Sequence, residues 1–299
     1  MIVVVGATGI LGGMITRRLL EQGREVRILV RHDSPSEQLA QEGRATSAGS
    51  LIEAGAQPVY GDLRDRASLD AAVEGVETVI STANSVGRGG EDNPQSVDLE
   101  GNRNLIEAAR DAGVGHFVFV SALGADPNHP VPFMQAKGQS EASLRDSGMD
   151  FTVLAPTPFM EVWVAVVVGM PALQGQPVVL VGEGRRHHSF ISNRDVAAFA
   201  VAAVDNPAAR NRYLALGGPE PLSWRDVVAT YERVLGYPVS LQFAAMGEPV
   251  PLPDPMPGIL AGMETYDSAI EMGEIARTFD VPLTSLETFV REQATPQTA

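Results

Sequence analysis

No cysteine occurs in the 299 residues, which excludes disulfides, thiolate nucleophiles and cysteine-ligated metals and fits a reducing compartment. Positive charge is also scarce: 22 Lys and Arg stand against 37 Asp and Glu, for a formal net charge of −15. Such a chain has neither the counterion release that drives nucleic-acid binding nor a basic patch for anionic lipid. Its acidity reads as a solubility trait. No hydrophobic run is long enough to span a bilayer; the most apolar late stretch, Val162 to Met170, is bounded by Glu161 and Pro171 and reads as a buried or interface helix. Internal repeats and low-complexity segments are missing too. A first strand opening at Ile2 leaves no room for a charged leader, so the expected location is cytoplasmic.

What the chain does have begins at its N-terminus. The apolar run Ile2 to Val5 meets Gly6-Ala7-Thr8-Gly9-Ile10-Leu11-Gly12 and passes directly into helical periodicity. Ile15, Leu19 and Leu20 continue the apolar face of Ile10 and Leu11 as far as Gly23, and a strand from Glu25 to Val30 follows at once. Glycines in that setting let the backbone turn tightly, approach a pyrophosphate and pack the helix closely on the sheet. Unpaired amides and the positive end of the helix dipole would then hold the anion without a basic side chain. The alternative is a tight turn in an α/β domain that binds no nucleotide.

The end of the second strand bears on which dinucleotide is bound. NAD sites place a carboxylate there for the ribose hydroxyls, whereas this chain has Leu29-Val30-Arg31-His32, with Asp33 arriving late for that role. The Arg31 guanidinium suits a 2′-phosphate through paired charge-assisted hydrogen bonds, which favours NADP(H) over NAD(H). A solvated arginine at a strand end is the other reading.

Further strands read at Pro58 to Tyr60, Val76 to Ser81, His116 to Ser121 and Phe151 to Leu154. Helices read from Gln95 to Ala112, with Leu99, Leu105, Ile106 and Ala109 inward, and from Met134 to Ser147. This alternation predicts an α/β fold: a doubly wound parallel sheet over residues 1–155, joined by returning segments from the C-terminal half, and a smaller mixed α/β substrate lobe over 156–299. Loops after the strands, at Gly6 to Gly12, Arg31, Asp62 to Leu63, Ser81 to Asn84 and Ser121 to Gly124, converge on one crevice.

The combination GATGILGG, LVR, GDLRD, VDLEGNRNLIEAARDAGV, HFVFVSALGAD, the lysine in FMQAKGQSE, and LAPTPFME resembles the atypical short-chain dehydrogenase/reductase superfamily. The likeness is specifically to its NmrA-like branch, with an NAD(P)-binding Rossmann fold, and covers most of residues 1–160. That branch includes NADPH-dependent reductases of the isoflavone and pinoresinol type, NAD(P)H:quinone oxidoreductases, and redox sensors that bind the dinucleotide without turning it over. The resemblance implies that Asp62 and Leu63 flank the adenine, that Ser81, Thr82 and Ala83 pass along the adenosine ribose, and that Lys137 reaches the nicotinamide ribose. With Gly6, Thr8, Gly9, Ile10, Leu11, Gly12 and Arg31 already named, Ser121, Pro156 and Phe159 complete the candidate cofactor contacts.

Where the superfamily carries Tyr-x-x-x-Lys, the tyrosine is the acid or base and the lysine lowers its pKa. Here Phe133 stands four residues before Lys137, and phenylalanine has no proton to give. Ser121 is the only hydroxyl in Ser121-Ala122-Leu123, and reads more readily as a strand-end hydrogen bonder than as a catalyst. Lys137 is therefore the candidate catalytic residue: an ammonium at the crevice mouth can bond ribose hydroxyls and donate toward a developing oxyanion. An exposed helix lysine is the alternative.

In the second half, Phe159 and Met160 suit either a flat apolar ligand or ordinary core. Val178 to Val181 reads as a strand, Gly182 to Gly184 as a turn, and Arg185-Arg186-His187-His188 as the densest basic cluster. Adjacent histidines on a strand face opposite ways and no carboxylate pair accompanies them, so no metal is expected. They read as solvent-facing, or with one as a proton donor in a pocket. Helix starts read at Asn193 as N-cap with Asp195 in the first turn, at Ser223 with Asp226, and at Thr284 with Glu287; the last two open helices over Trp224 to Leu235 and Ser285 to Gln293. Pro249 to Pro257 reads as a linker or lid.

Two functions fit. One is an NADP(H)-dependent oxidoreductase passing hydride to a small quinone-like or conjugated carbonyl acceptor, chemistry that tolerates a site without the tyrosine because solvent can protonate the product. The other is an NADP(H)-binding sensor without turnover. A sugar-nucleotide epimerase or dehydratase is disfavoured, since it needs the tyrosine. The expected partner is a small molecule, and the expected state a monomer or homodimer.

Overall fold

Strands buried on both faces of a parallel sheet are near-continuous apolar runs. In the computed structural model, which describes residues 1–32 and 34–295, the strands are Ile2–Val5 (β1), Val26–Val30 (β2), Gln57–Tyr60 (β3), Thr78–Ser81 (β4), His116–Val120 (β5) and Asp150–Pro156 (β6), all such runs except β3, which lies part-exposed at the sheet edge. Val178–Val181 (β7), Arg212–Leu216 (β8) and Leu241–Ala244 (β9) follow. Asp33 lies outside the described residues. The main sheet runs β3-β2-β1-β4-β5-β6-β8, and Ile2 is in parallel register with Val26 on one side and Thr78 on the other. Because the chain winds from β1 out to β3 and restarts at β4 beside β1, a topological switch point falls between β1 and β4.

Two units make up the chain, residues 1–155 with 196–215 and residues 156–195 with 216–299. In the first, Val3, Val5, Val79, Leu105, Phe117 and Phe119 belong to one core, and the helix Ile10–Glu21 buries Ile15 and Leu19. In the second, β7 pairs in parallel with β9, and Val164, Val168, Leu180, Trp224 and Tyr231 pack together.

Several expectations need correction. The segment read as one helix from Gln95 opens with wide π-type turns over Pro94–Gly101 before the α-helix Asn102–Asp111. These turns direct Val97 and Asp98 inward and leave Leu99 only half-buried. Met160 is 1 % exposed within the second unit's core, at the start of a further π-type segment, Met160–Gly169. His187 is exposed but His188 is fully buried, with Nδ1 2.8 Å from Ser268 Oγ, so the pair is not solvent-facing. The helix Asn193–Asp205 is capped by Ser192, whose hydroxyl accepts from the Arg194 amide at 3.1 Å, rather than by Asn193. Ser285, not Thr284, caps Leu286–Ala294, because the Thr284 amide and hydroxyl both donate to the Asp195 carboxylate. The proline-rich stretch ends in a helix, Met256–Met263. The Ser223 capping box forms as expected. Among the described residues no cluster of metal-binding side chains occurs, and no helix is long and apolar enough to cross a membrane.

Candidate functional site

The turn after β1 is shaped by what cannot fit there. Gly6 adopts φ +87°, a conformation that L side chains rarely take, and a Cβ on it would stand 2.6 Å from Thr82 Oγ1. On Gly12 a Cβ would meet the Gly6 carbonyl at 2.2 Å, so any side chain would push the helix off the turn. Gly9 is the least constrained by the protein: its φ is −71°, and a Cβ would meet only the Gly6 carbonyl, at 3.3 Å. The helix that follows has no side-chain cap and no acid in its first turn. Its first amides, beside a bare glycine, fit the pyrophosphate of a dinucleotide. Ile10 is exposed, Leu11 half-buried and Gly12 buried. Thr46 lies against the same helix, its amide donating to the Thr8 carbonyl at 2.8 Å.

One cavity gathers Gly6, Thr8, Arg31, Asp62, Leu63 and Ala83, all within the first unit. Arg31 is not free there. Its Nη1 contacts Asp92 Oδ2 at 2.8 Å, and Arg88 Nη1 lies 3.6 Å from the same oxygen. Arg88 and Asp92 also line the cavity, and the sequence reading named neither. Burial pushes the Asp62 carboxyl up, but bonds from the Arg64 side chain and amide, with the Arg31 charge beyond, hold it below its ordinary value. His32 stacks on Tyr60 at the ends of β2 and β3, with ring centroids 5.1 Å apart.

Ser81 and Thr82 face the protein. The Ser81 hydroxyl donates to Asn102 Oδ1 at 2.7 Å, and that of Thr82 reaches the Val5 and Gly6 carbonyls at 3.4 and 3.3 Å. Lys137, on the helix Pro132–Asp146, is enclosed at 2 % exposure rather than standing at an open mouth or on an exposed helix face. Its Nζ donates to the Ala83 and Val120 carbonyls at 3.2 and 3.3 Å and pairs with Asp98 Oδ1 at 3.3 Å. Burial lowers the Lys137 pKa, and the Asp98 charge works against that shift. Asp98 is itself fully buried, with Oδ2 accepting from the Ser85 amide and hydroxyl at 3.0 and 2.6 Å. The Phe133 ring lies 5.7 Å from Nζ, so a phenylalanine occupies the position beside the lysine.

Ser121 is 6 % exposed and donates to Glu141 at 2.6 Å, a carboxylate also held by Arg145. Pro156 is buried at the end of β6 and Phe159 is half-buried; both belong to the second unit. There Glu161 accepts from the Ser192 hydroxyl and the Asn193 amide, and burial raises its pKa.

A family model described as the NmrA-like family matches residues 1–292. An NAD(P)H azoreductase of Xenophilus azovorans is 33% identical over 298 residues, covering 93% of this chain and 95% of that protein. Among solved structures, an NADPH-dependent quinone oxidoreductase of Escherichia coli complexed with NADPH aligns with a TM-score of 0.79 at 24% identity, over 99% of this chain and 100% of that one. A triphenylmethane reductase of Citrobacter sp. complexed with NADP(H) gives the same TM-score, 0.79, at 20% identity over 98% and 99% of the two chains. At these identities the two solved structures share the fold.

Proposed function

Because the chain belongs to the NmrA-like family and an NAD(P)H azoreductase matches 93% of it, we propose that it is an oxidoreductase that passes hydride from NADPH to a small quinone-like or otherwise conjugated acceptor without a side-chain proton donor. The observation that carries this reading is Phe133 beside an enclosed Lys137, downstream of a complete glycine turn. A reduced nicotinamide, when bound, supplies the hydride. Gly6, Gly9 and Gly12 admit the pyrophosphate to the helix N-terminus, Arg31 takes the 2′-phosphate, and Asp62 and Leu63 border the adenine. Lys137 exchanges a backbone carbonyl for a ribose hydroxyl and keeps Asp98 as its counter-charge. Ser121, committed to Glu141, holds the strand end rather than the substrate.

An acceptor that is reduced to a resonance-stabilised anion can leave its protonation to water, whereas a saturated ketone cannot. The test is NADPH oxidation with quinones and azo compounds beside unconjugated ketones and aldehydes. Turnover with the conjugated acceptors alone is the expected result; equal or better turnover with saturated ketones overturns it. Phe133 also favours a second reading, a sensor that binds NADP(H) without turnover, for which every acceptor in that panel would be inert.

A further inference from the structure

The glycine-rich loop after β4 carries two charged residues, Arg88 and Asp92, that line the cavity and that no part of the reaction above uses. It is tied down at both ends. Ser85 is bonded to the buried Asp98 at one end, and at the other the Asn93 side chain accepts from the Gln95 and Ser96 amides in a capping box. Between these anchors Gly87, Gly89 and Gly90 all take positive φ, and Arg88 and Asp92 reach the cavity that Arg31 lines. The Arg31 and Arg88 guanidinium groups lie 2.8 and 3.6 Å from one carboxylate oxygen, Asp92 Oδ2. Asp92 is the more enclosed, its side chain 11% exposed against 28% for Arg31 and 32% for Arg88.

We propose that Arg88 is the second arm of the 2′-phosphate site and that Asp92 fills this site in the nucleotide-free protein, as an internal anion that the phosphate must displace. This rests on the reading that Arg31 receives a 2′-phosphorylated nucleotide. Two guanidinium groups aimed at one oxygen position form the arrangement that a phosphate oxygen takes, and the carboxylate stands in for it. Burial, and after it the like charge of Arg31, lower the Arg88 pKa, so the pair needs an anion between its members. With Asp92 in place two positive charges meet one negative; a phosphate near −2 entering beside the carboxylate would leave the cluster over-neutralised. Asp92 therefore leaves when the phosphate arrives, and the cost of that displacement falls on NADP(H) alone. NAD(H) carries no group for the site. Asp92 thus narrows the preference that Arg31 and Arg88 create.

The experiment is calorimetric titration of the full chain with adenosine 2′,5′-bisphosphate and with adenosine 5′-monophosphate, which reads the site without any turnover. Arg88→Gln weakens the bisphosphate by about tenfold or more, and Asp92→Asn tightens it by about three- to tenfold, while the monophosphate changes with neither. The tightening shrinks at high salt, where a charge added or removed near the surface matters less. If Arg31→Gln weakens the bisphosphate but Arg88→Gln and Asp92→Asn leave it unchanged, the inference fails and the NADPH reading stands. If the unmodified chain binds both probes equally and Arg31→Gln alters neither, the NADPH reading itself fails. Loss of both probes alike in Asp92→Asn would show Asp92 to be a structural tie and overturn its part in the inference.

Discussion

An enclosed ammonium is tolerable only when its donors and its charge are both met. Lys137 achieves this with two strand-end carbonyls and Asp98, whose Oδ1 faces Nζ at 3.3 Å. Removing one partner leaves the other charged and buried, which typically costs about 3 to 5 kcal/mol. Lys137→Met should therefore lower the denaturation midpoint more than Lys137→Met combined with Asp98→Asn, a comparison that urea titration can make directly. A double variant as unstable as the sum of two single losses would show that the pair is not coupled. Lys137 is legible from its place in FMQAKGQSE, yet Asp98 is not, because a carboxylate seven residues before Leu105, on the face of an apolar stripe, looks like any polar interruption of that stripe. Asp98 and Asn102 together on that stripe were the available signal. Arg88 and Asp92 sit in a glycine-rich loop without periodicity, where sequence carries no direction for a side chain.

Strands β5, β6 and the turn before β8 are stitched by one polar chain through the sheet. His116 Nε2 lies 2.8 Å from Thr152 Oγ1, and that hydroxyl donates to the Ala209 carbonyl at 2.7 Å, so Nε2 carries the proton. Burial, and then the charge of Arg210, push the His116 imidazole down to about 4 from an ordinary 6.5. The unfolded chain takes up a proton below about 6.5 and the folded chain only near 4. The contribution of the neutral ring is complete above that window and is lost as pH falls through it, by roughly 3 kcal/mol at most. Chemical denaturation of the His116→Gln variant from pH 7 to pH 4 should show a shallower loss of stability than the unmodified chain; parallel slopes would sink the assignment. At this scale the parallel strands were readable because burial on both faces makes IVVV, VRILV and HFVFV near-continuous apolar runs. RYLAL at β8 and LQFA at β9 were not, since each is short and part-exposed and lacks that signal. Nothing in helical periodicity distinguishes the π-type turns of Pro94–Gly101 from an α-helix, so the sequence points Leu99 inward where the structure buries Val97 and Asp98 instead.

For the molecule as a whole, strand order and motif placement agree. The switch point between β1 and β4 puts Gly6 and Ala83 on one cavity, Arg31 stands at the end of β2, and Phe133 accompanies the lysine of the helix Pro132–Asp146. The NmrA-like family model matches residues 1–292, and the relative that supports an oxidoreductase, an NAD(P)H azoreductase, covers 93% of the chain. In the proposed reaction, hydride transfer proceeds without a protein proton donor. Single-turnover oxidation of NADPH deuterated at the transferred position, with a quinone acceptor, in H₂O and D₂O and from pH 6 to 9, tests that most directly. A primary isotope effect from the nucleotide, with no solvent isotope effect and a rate independent of pH, is the predicted result. A solvent isotope effect on the same step, or tight NADPH binding with no oxidation, would contradict it.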